Sequence, residues 1–163
     1  MIKTINRIKS NEGLELFPYK CPAGKWTIGY GRNLEDKGLS NVEKLALLGN
    51  DNLNNEEVIL YLRDKGITEQ MAELLINNDV KECYDKVMNT FPWAMANRDV
   101  VSVLVEMVFQ MGLSGVLNFR NTISYLKKKM YDKAAAEMLD SNWHNQTPTR
   151  AEKLSLIIKN ISK

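Results

Sequence analysis

Between Gly66 and Pro92 the chain runs without a glycine or a proline. Within that stretch Met71, Leu74, Leu75, Val80, Tyr84 and Val87 recur at helical spacing, and Thr68 stands where an N-cap would be needed. One long helix is expected there, stopped by Phe91-Pro92. The two sides of it differ in texture, so the helix is a natural connector between a β-containing part and an all-helical part. A chain of 163 residues can bury one good core or two small lobes that share an element.

On the N-terminal side, Ile2, Ile5 and Ile8 recur every three residues and predict a short amphipathic helix from about Lys3 to Asn11, with Gly13 as its C-cap. From Phe17 to Arg32 the helix breakers Pro18, Pro22, Gly24, Gly29 and Gly31 surround the β-favouring triplet Trp26-Thr27-Ile28. A small antiparallel ribbon is expected, too little sheet to stand alone. Ser40 to Leu48 reads as a short helix, and GNDNLNN as a polar loop.

On the C-terminal side, Asn97 to Met111 is almost wholly apolar and predicts a helix surrounded by other helices, capped by Asn97 and ended by Gly112. Shorter helices are expected near Asn118–Lys129 and Asp132–Asp140, and a last one begins at Thr147-Pro148, a cap followed by an N1 proline. The expected fold class is therefore α+β and mostly helical. Its parts are residues 1–67 with the small sheet, a connecting helix over 68–92, and a helical part over 93–163.

Composition excludes several function classes. Apolar content of 44%, charged content of 26% and a net charge of +2 are ordinary for a soluble globular chain and favour an anionic polymer only weakly. The one compact basic run, Lys127-Lys128-Lys129, reads as a solvated helix face, and no aromatic-interleaved basic patch points to nucleic acid. Cys21 and Cys83 form no disulfide framework, and folding in a reducing compartment is expected. MIKTINRIKSNEG lacks the continuous apolar run of a secretory signal. Val100–Met111 is short for a bilayer span and carries Glu106 and Gln110. The expectation is a protein made inside the cell, without membrane insertion. Asn160-Ile161-Ser162 matches a glycosylation pattern that means nothing without secretion. No metal spacing, phosphate loop or dinucleotide fingerprint suggests a cofactor.

The residues that could carry chemistry are few. Glu12 falls at the C-terminal end of the first helix, where the macrodipole disfavours a carboxylate by about 0.3–1 kcal/mol and so favours the protonated form a general acid needs; a surface glutamate at a frayed end is the bland alternative. Arg150 lies in the first turn of the last helix, where a cation opposes the dipole, and Glu12 is a candidate partner for it. Gln110, in a greasy helix, needs a partner such as Trp143, or else lines a cleft. Cys21 sits in the turn Lys20-Cys21-Pro22-Ala23-Gly24, a poor place for a buried small hydrophobe, whereas Cys83 suits a helix interior. The lone His144 reads as a loop residue without a catalytic role.

Glu12-Gly-Leu, Tyr19-Lys20, Gly24 and Thr27-Ile-Gly-Tyr-Gly form one motif block. Met107-Val-Phe-Gln-Met-Gly112, Gly115-Val116, Phe119, Trp143, Asn145-Gln-Thr-Pro148, Arg150 and Ala151 form a second. With these two blocks in this order the sequence closely resembles the phage-type lysozymes of glycoside hydrolase family 24, in the T-even phage endolysin branch. The resemblance covers nearly the whole chain and is poorest from about Asn33 to Gly66.

The resemblance implies a two-lobed lysozyme-like fold and a muramidase that cleaves the β-1,4 bond between N-acetylmuramic acid and N-acetylglucosamine in peptidoglycan glycan strands. It implies no cofactor, a monomer, and a separate membrane-permeabilising factor (a holin) to let the enzyme reach the wall. Glu12 falls on the family's general acid, Cys21 on its second catalytic position (Asp in some members, Cys in others), and Thr27 on the catalytic-cleft threonine. Arg150 falls on the arginine paired with the acid, and Phe109 and Asn33 on substrate-contact positions, with Gln110 beside them. Arg32 stands where the branch has histidine and Asp79 on its acidic partner, so an Arg32–Asp79 link is expected. A thiol in the second position is a poorer base than a carboxylate, since its ordinary pKa is about 8.5. Three roles are open to it: water positioning, charge stabilisation as thiolate, and covalent attack. A lytic transglycosylase and a wall-binding protein that has lost hydrolysis are the alternatives to a muramidase.

Overall fold

A computed structural model describes residues 1–161, and Ser162 of the glycosylation pattern lies outside them. The described residues form a three-stranded antiparallel sheet and nine α-helices, in two compact units divided within one helix between Asp79 and Val80.

In the first unit, α1 (Ile2–Glu12) ends where Gly13, at φ +74°, donates its N–H to the Lys9 carbonyl. The sheet has the order β1 (Glu15–Lys20), β2 (Trp26–Gly29), β3 (Arg32–Asn33). Glu15 pairs with Gly29 and Tyr19 with Thr27, so Leu16, Phe17 and Pro18 together oppose Ile28 alone. That bulge accommodates a proline with no N–H for the ladder. The two-residue β3, which the ribbon reading did not include, pairs Asn33 with Thr27 and Arg32 with Ile28.

Two capped helices follow. α2 (Asn41–Leu48) starts on a capping box between Ser40 and Glu43, and α3 (Asn55–Lys65) on one between Asn54 and Glu57. The sequence expectation covered α2 and the loop but had no α3. Gly66 ends α3 at φ +66°; a Cβ there would lie 2.8 Å from the Leu16 carbonyl oxygen, so only glycine lets α3 close onto β1. Ile28, Leu34, Leu39, Leu47, Val58, Leu62, Ile67, Ala72 and Leu75 form the core of this unit. α4 (Glu69–Thr90) is the long helix expected, and the Thr68 hydroxyl accepts the Met71 N–H as its cap.

In the second unit, a 3-10 turn over Pro92–Ala96 leads to α5 (Arg98–Leu117), where the Asn97 side chain accepts N–H groups from Asp99 and Val100. Gly112, at φ +73° and ψ 166°, is non-helical and ends the core helix where the sequence placed its end; a second short helical segment runs on to Leu117, and α5 names the two together. Taken across Gly112, α5 passes as a membrane span by length and composition alone. Its Val100 and all of Val103–Val108 are nevertheless buried in the described fold, as in the core helix of a helical domain. α6 (Arg120–Lys127), α7 (Tyr131–Leu139), α8 (Asn142–Gln146) and α9 (Pro148–Asn160) complete the unit, with α9 packed on α5, α7 and α8. Lys127 closes α6 and Lys129 has φ +58°, so the basic run turns off a helix end and is not a helix face. His144 lies within α8, not in a loop; its ring nitrogens sit 2.8 Å from the Leu139 carbonyl and 3.3 Å from a Glu152 oxygen.

Candidate active site

The sheet sets the spacing of the N-terminal candidates. Tyr19, Thr27 and Asn33 are directly paired across the three strands, so their side chains share one face. The hairpin loop between β1 and β2 is closed by the Cys21 N–H on the Lys25 carbonyl (3.0 Å) and the Gly24 N–H on the Cys21 carbonyl (2.7 Å). The Cys21 side chain hangs in that loop. The backbone N–H of Lys25, above all, lowers its pKa, against desolvation and with help from the Ala23 N–H and the Thr27 hydroxyl. Sulfur surrounded by donors holds negative charge more readily than a free thiol. The turn supplies this effect and the Lys20 ammonium does not: Lys20 donates to Glu35 (2.9 Å) and lies over the Trp26 ring.

Thr27 is buried, and its hydroxyl donates to the Lys25 carbonyl at 3.1 Å. It has one proton to give, and that proton goes to the Lys25 carbonyl. Glu12 is the last residue of α1. Gly31, at φ +93°, leaves room for it: a Cβ there would stand 3.5 Å from the Glu12 carboxylate. Tyr19 faces both groups. Burial raises its pKa first, and the negative charges of Glu12, Cys21 and Glu15 raise it further. A neutral phenol is thus kept as a donor beside the acid and the thiol. Tyr19 was quoted above only as a motif residue; its signal is the i, i+2 spacing to Cys21, which puts both on one side of an extended chain.

The resulting expectation concerns reactivity. Cys21 alkylates with a midpoint below the ordinary thiol value of about 8.5, while Cys83, buried in α4, stays unmodified in the folded protein. Mass spectrometry of the iodoacetamide-treated protein against pH measures both.

Other candidates have structural duties. Asn33 accepts the N–H groups of Glu35 and Asp36 (2.9 and 2.8 Å) and donates to the Asp36 carboxylate (2.9 Å), so its amide shapes the loop after β3. Gln110 accepts the Trp143 indole N–H at 2.9 Å and donates to the Thr147 hydroxyl at 3.3 Å. That is the partner alternative named above for Gln110, and it occupies both ends of the amide. It also explains why Thr147 caps α9 without its side chain: the hydroxyl donates to the Trp143 carbonyl at 3.1 Å instead. Replacing Gln110 by Leu strands the Trp143 indole N–H, while the Thr147 hydroxyl keeps its bond to the Trp143 carbonyl, and is expected to cost about 1–3 kcal/mol, measured by urea unfolding. Phe109 is half-buried on α5, and Arg150 is half-buried in the first turn of α9.

The expected Arg32–Asp79 link is present and larger than foreseen. Arg32 is 3% exposed. Its Nε donates to Asp79 at 3.0 Å, Nη1 and Nη2 donate to the two Glu43 oxygens at 2.9 and 2.8 Å, and Nη1 also reaches the Gly38 carbonyl at 3.1 Å. Lys37 lies 2.6 Å from Asp79, and Asn78 donates to Glu43 at 2.9 Å. Burial pushes the Glu43 carboxyl up, but Arg32, Asn78 and the Ser40 N–H together bring it down to about 2. Glu43 was missed, although Ser40-Asn-Val-Glu43 is a readable capping box.

The family described as phage lysozyme matches residues 9–156. A probable T4-type lysozyme 1 of Dictyostelium discoideum is 27% identical over 98% of this chain and 95% of its own length. A probable T4-type lysozyme 2 of the same organism is 27% identical over 90% and 88%. An endolysin of Acyrthosiphon pisum secondary endosymbiont phage 1 is 28% identical over 81% of this chain and 72% of its own.

Proposed function

This chain belongs to the phage lysozyme family, and from that premise we propose that it is a muramidase that hydrolyses the β-1,4 bond between N-acetylmuramic acid and N-acetylglucosamine of peptidoglycan. Family membership supports lysozyme activity in general. The observation that carries the finer reading is geometric: an acid at the end of α1 beside Gly31, and a thiol in the closed turn between β1 and β2.

In this reading Glu12 protonates the leaving glycosidic oxygen. A water held by Cys21 and Thr27 attacks the anomeric carbon from the opposite face of an oxocarbenium-like state. The thiolate takes the proton that the water loses, and exchange with solvent returns the thiol and Glu12 to their starting states. Direct displacement by water gives an inverted product. Arg150, Phe109 and Asn33 keep, as part of the proposal, the supporting and substrate-contact roles that the resemblance implies, and Gln110 holds Trp143. The likeness to an endolysin supports a role in host lysis, with a monomeric enzyme acting on the wall after a holin-type factor opens the membrane.

The rival, a wall-binding protein without hydrolysis, rested on the missing second carboxylate, and a sulfur ringed by donors weakens that ground. Clearing of purified cell-wall suspensions is the test. Turbidity falls with the protein and stays level with Glu12→Gln if the proposal holds; wall binding without clearing by the unsubstituted protein contradicts it.

A further inference from the structure

The segment after β3 carries Glu35, where the resemblance to the family is poorest and no role has been assigned. One carboxylate oxygen of Glu35 accepts both the Trp26 backbone N–H and the Lys20 ammonium, each at 2.9 Å. Its other oxygen lies 3.6 Å from the Lys25 ammonium. Lys20 ends β1 and Trp26 begins β2, and the two are paired, so Glu35 holds both ends of the loop that bears Cys21. The Lys20 and Trp26 hydrogen bonds, before all else, bring the Glu35 carboxyl down to about 2. It is therefore ionised throughout the range in which a lysozyme would work.

The peptide group joining Lys25 to Trp26 is the link to the chemistry. Its N–H points at Glu35. Its carbonyl accepts the Cys21 N–H at 3.0 Å and the Thr27 hydroxyl at 3.1 Å. In a planar trans peptide the two groups point in opposite directions, so an acceptor fixed on one side aims the carbonyl to the other. Side chains alternate across a strand. Lys20 and Trp26 therefore lie on the back of the sheet and Tyr19 and Thr27 on the front, with Glu35 acting from the back.

We infer that Glu35 is a positioning residue. By locking the Lys25–Trp26 peptide it fixes the Cys21 loop and the Thr27 hydroxyl in the arrangement that polarises the thiol. The inference rests on the assignment of Cys21 and Thr27 proposed above. The ionisable group facing the thiol on the front is Tyr19, itself in the field of Glu12 and Glu15. Those facing Glu35 on the back are Lys20 and Lys25, the latter also paired with Asp36 at 3.0 Å, and, from α3, Arg63 over the Trp26 ring and Glu56 in the same cavity. Lys20 also lies 4.4 Å from the centroid of the Trp26 ring, a second hold on the back that does not depend on Glu35.

The test is the pH profile of Cys21 alkylation, read alongside wall clearing and thermal unfolding for Glu35→Ala, Glu35→Gln and Asp36→Ala. Glu35→Ala is expected to move the alkylation midpoint upward by about half a pH unit or more, toward the ordinary thiol value. It should also lower the clearing rate by about three- to tenfold. Glu35→Gln keeps an acceptor for the Trp26 N–H and recovers at least half of both effects. Asp36→Ala, which removes a Lys25 ion pair and one of the Asn33 amide's bonds but no contact with the peptide, leaves the midpoint in place. An alkylation profile of Glu35→Ala that superposes on the unsubstituted one overturns the inference, whatever happens to clearing or stability. So does a Glu35→Gln profile equal to that of Glu35→Ala. Alkylation needs no activity, so a protein that never clears walls would sink the proposed function and still leave this readout standing.

Discussion

Glu12→Gln lowers wall hydrolysis by about 10²–10⁴-fold, the usual contribution of a general acid, and leaves folding untouched. Glutamine has the shape of the acid but no proton to give the leaving oxygen. The site tolerates it: Glu12 is half-buried at the open end of α1, and Gly31 presents no side chain to it. Initial clearing rates with a matched thermal midpoint check the prediction. A loss below tenfold with normal stability means that the proton comes from elsewhere.

Arg32→Met is the second large effect, and it falls on stability. The substitution removes the guanidinium that joins Glu43 and Asp79 and leaves two buried carboxylates with Lys37, Asn78 and the Ser40 N–H. Removing one partner of a buried ion pair costs about 3–5 kcal/mol. The pH dependence has a definite sign. Glu43 ionises at about 2 in the folded chain against 4.5 ordinarily, so its contribution is complete above the ordinary value and disappears as pH falls toward 2. Its size is of the order of 3 kcal/mol. The unsubstituted protein therefore loses stability on acidification through that window. Arg32→Met loses much less there, because the stranded carboxylates are relieved by protonation. Urea unfolding from pH 2 to 7 measures both slopes. A change under about 1 kcal/mol at neutral pH would show that the cluster behaves as surface charge.

Much of this fold was legible in the sequence wherever one local signal decided an element. Absence of glycine and proline gave the long helix α4, and Asn97 and Gly13 did as caps what their positions required. The elements missed are those in which length or distant pairing decides. β3 has two residues and α8 five, too few for a periodicity to register. α3 carried a readable box in Asn54 and Glu57, hidden by the polar run before it. Thr147 looked like a cap, but its hydroxyl donates to the Trp143 carbonyl and accepts the distant Gln110 amide instead.

The candidate site divides in the same way. Glu12, Cys21 and Thr27 could be named from spacing and resemblance because they sit close together in sequence. That the turn's own amides, rather than Lys20, polarise Cys21 required the closed hairpin. Glu35 could not be read at all, since its place beside Trp26 depends on the register of β2 with the segment after β3. Glu43 belongs to both cases: its capping box is local, but its salt bridge to Arg32 is not.

Mass spectrometry of the fragments released from purified peptidoglycan in ¹⁸O-labelled water tests the central claim most directly. A water-attacking muramidase releases muropeptides that end in reducing N-acetylmuramic acid carrying one ¹⁸O atom. Anhydro-muramic ends without label, or no soluble fragments at all, would contradict it.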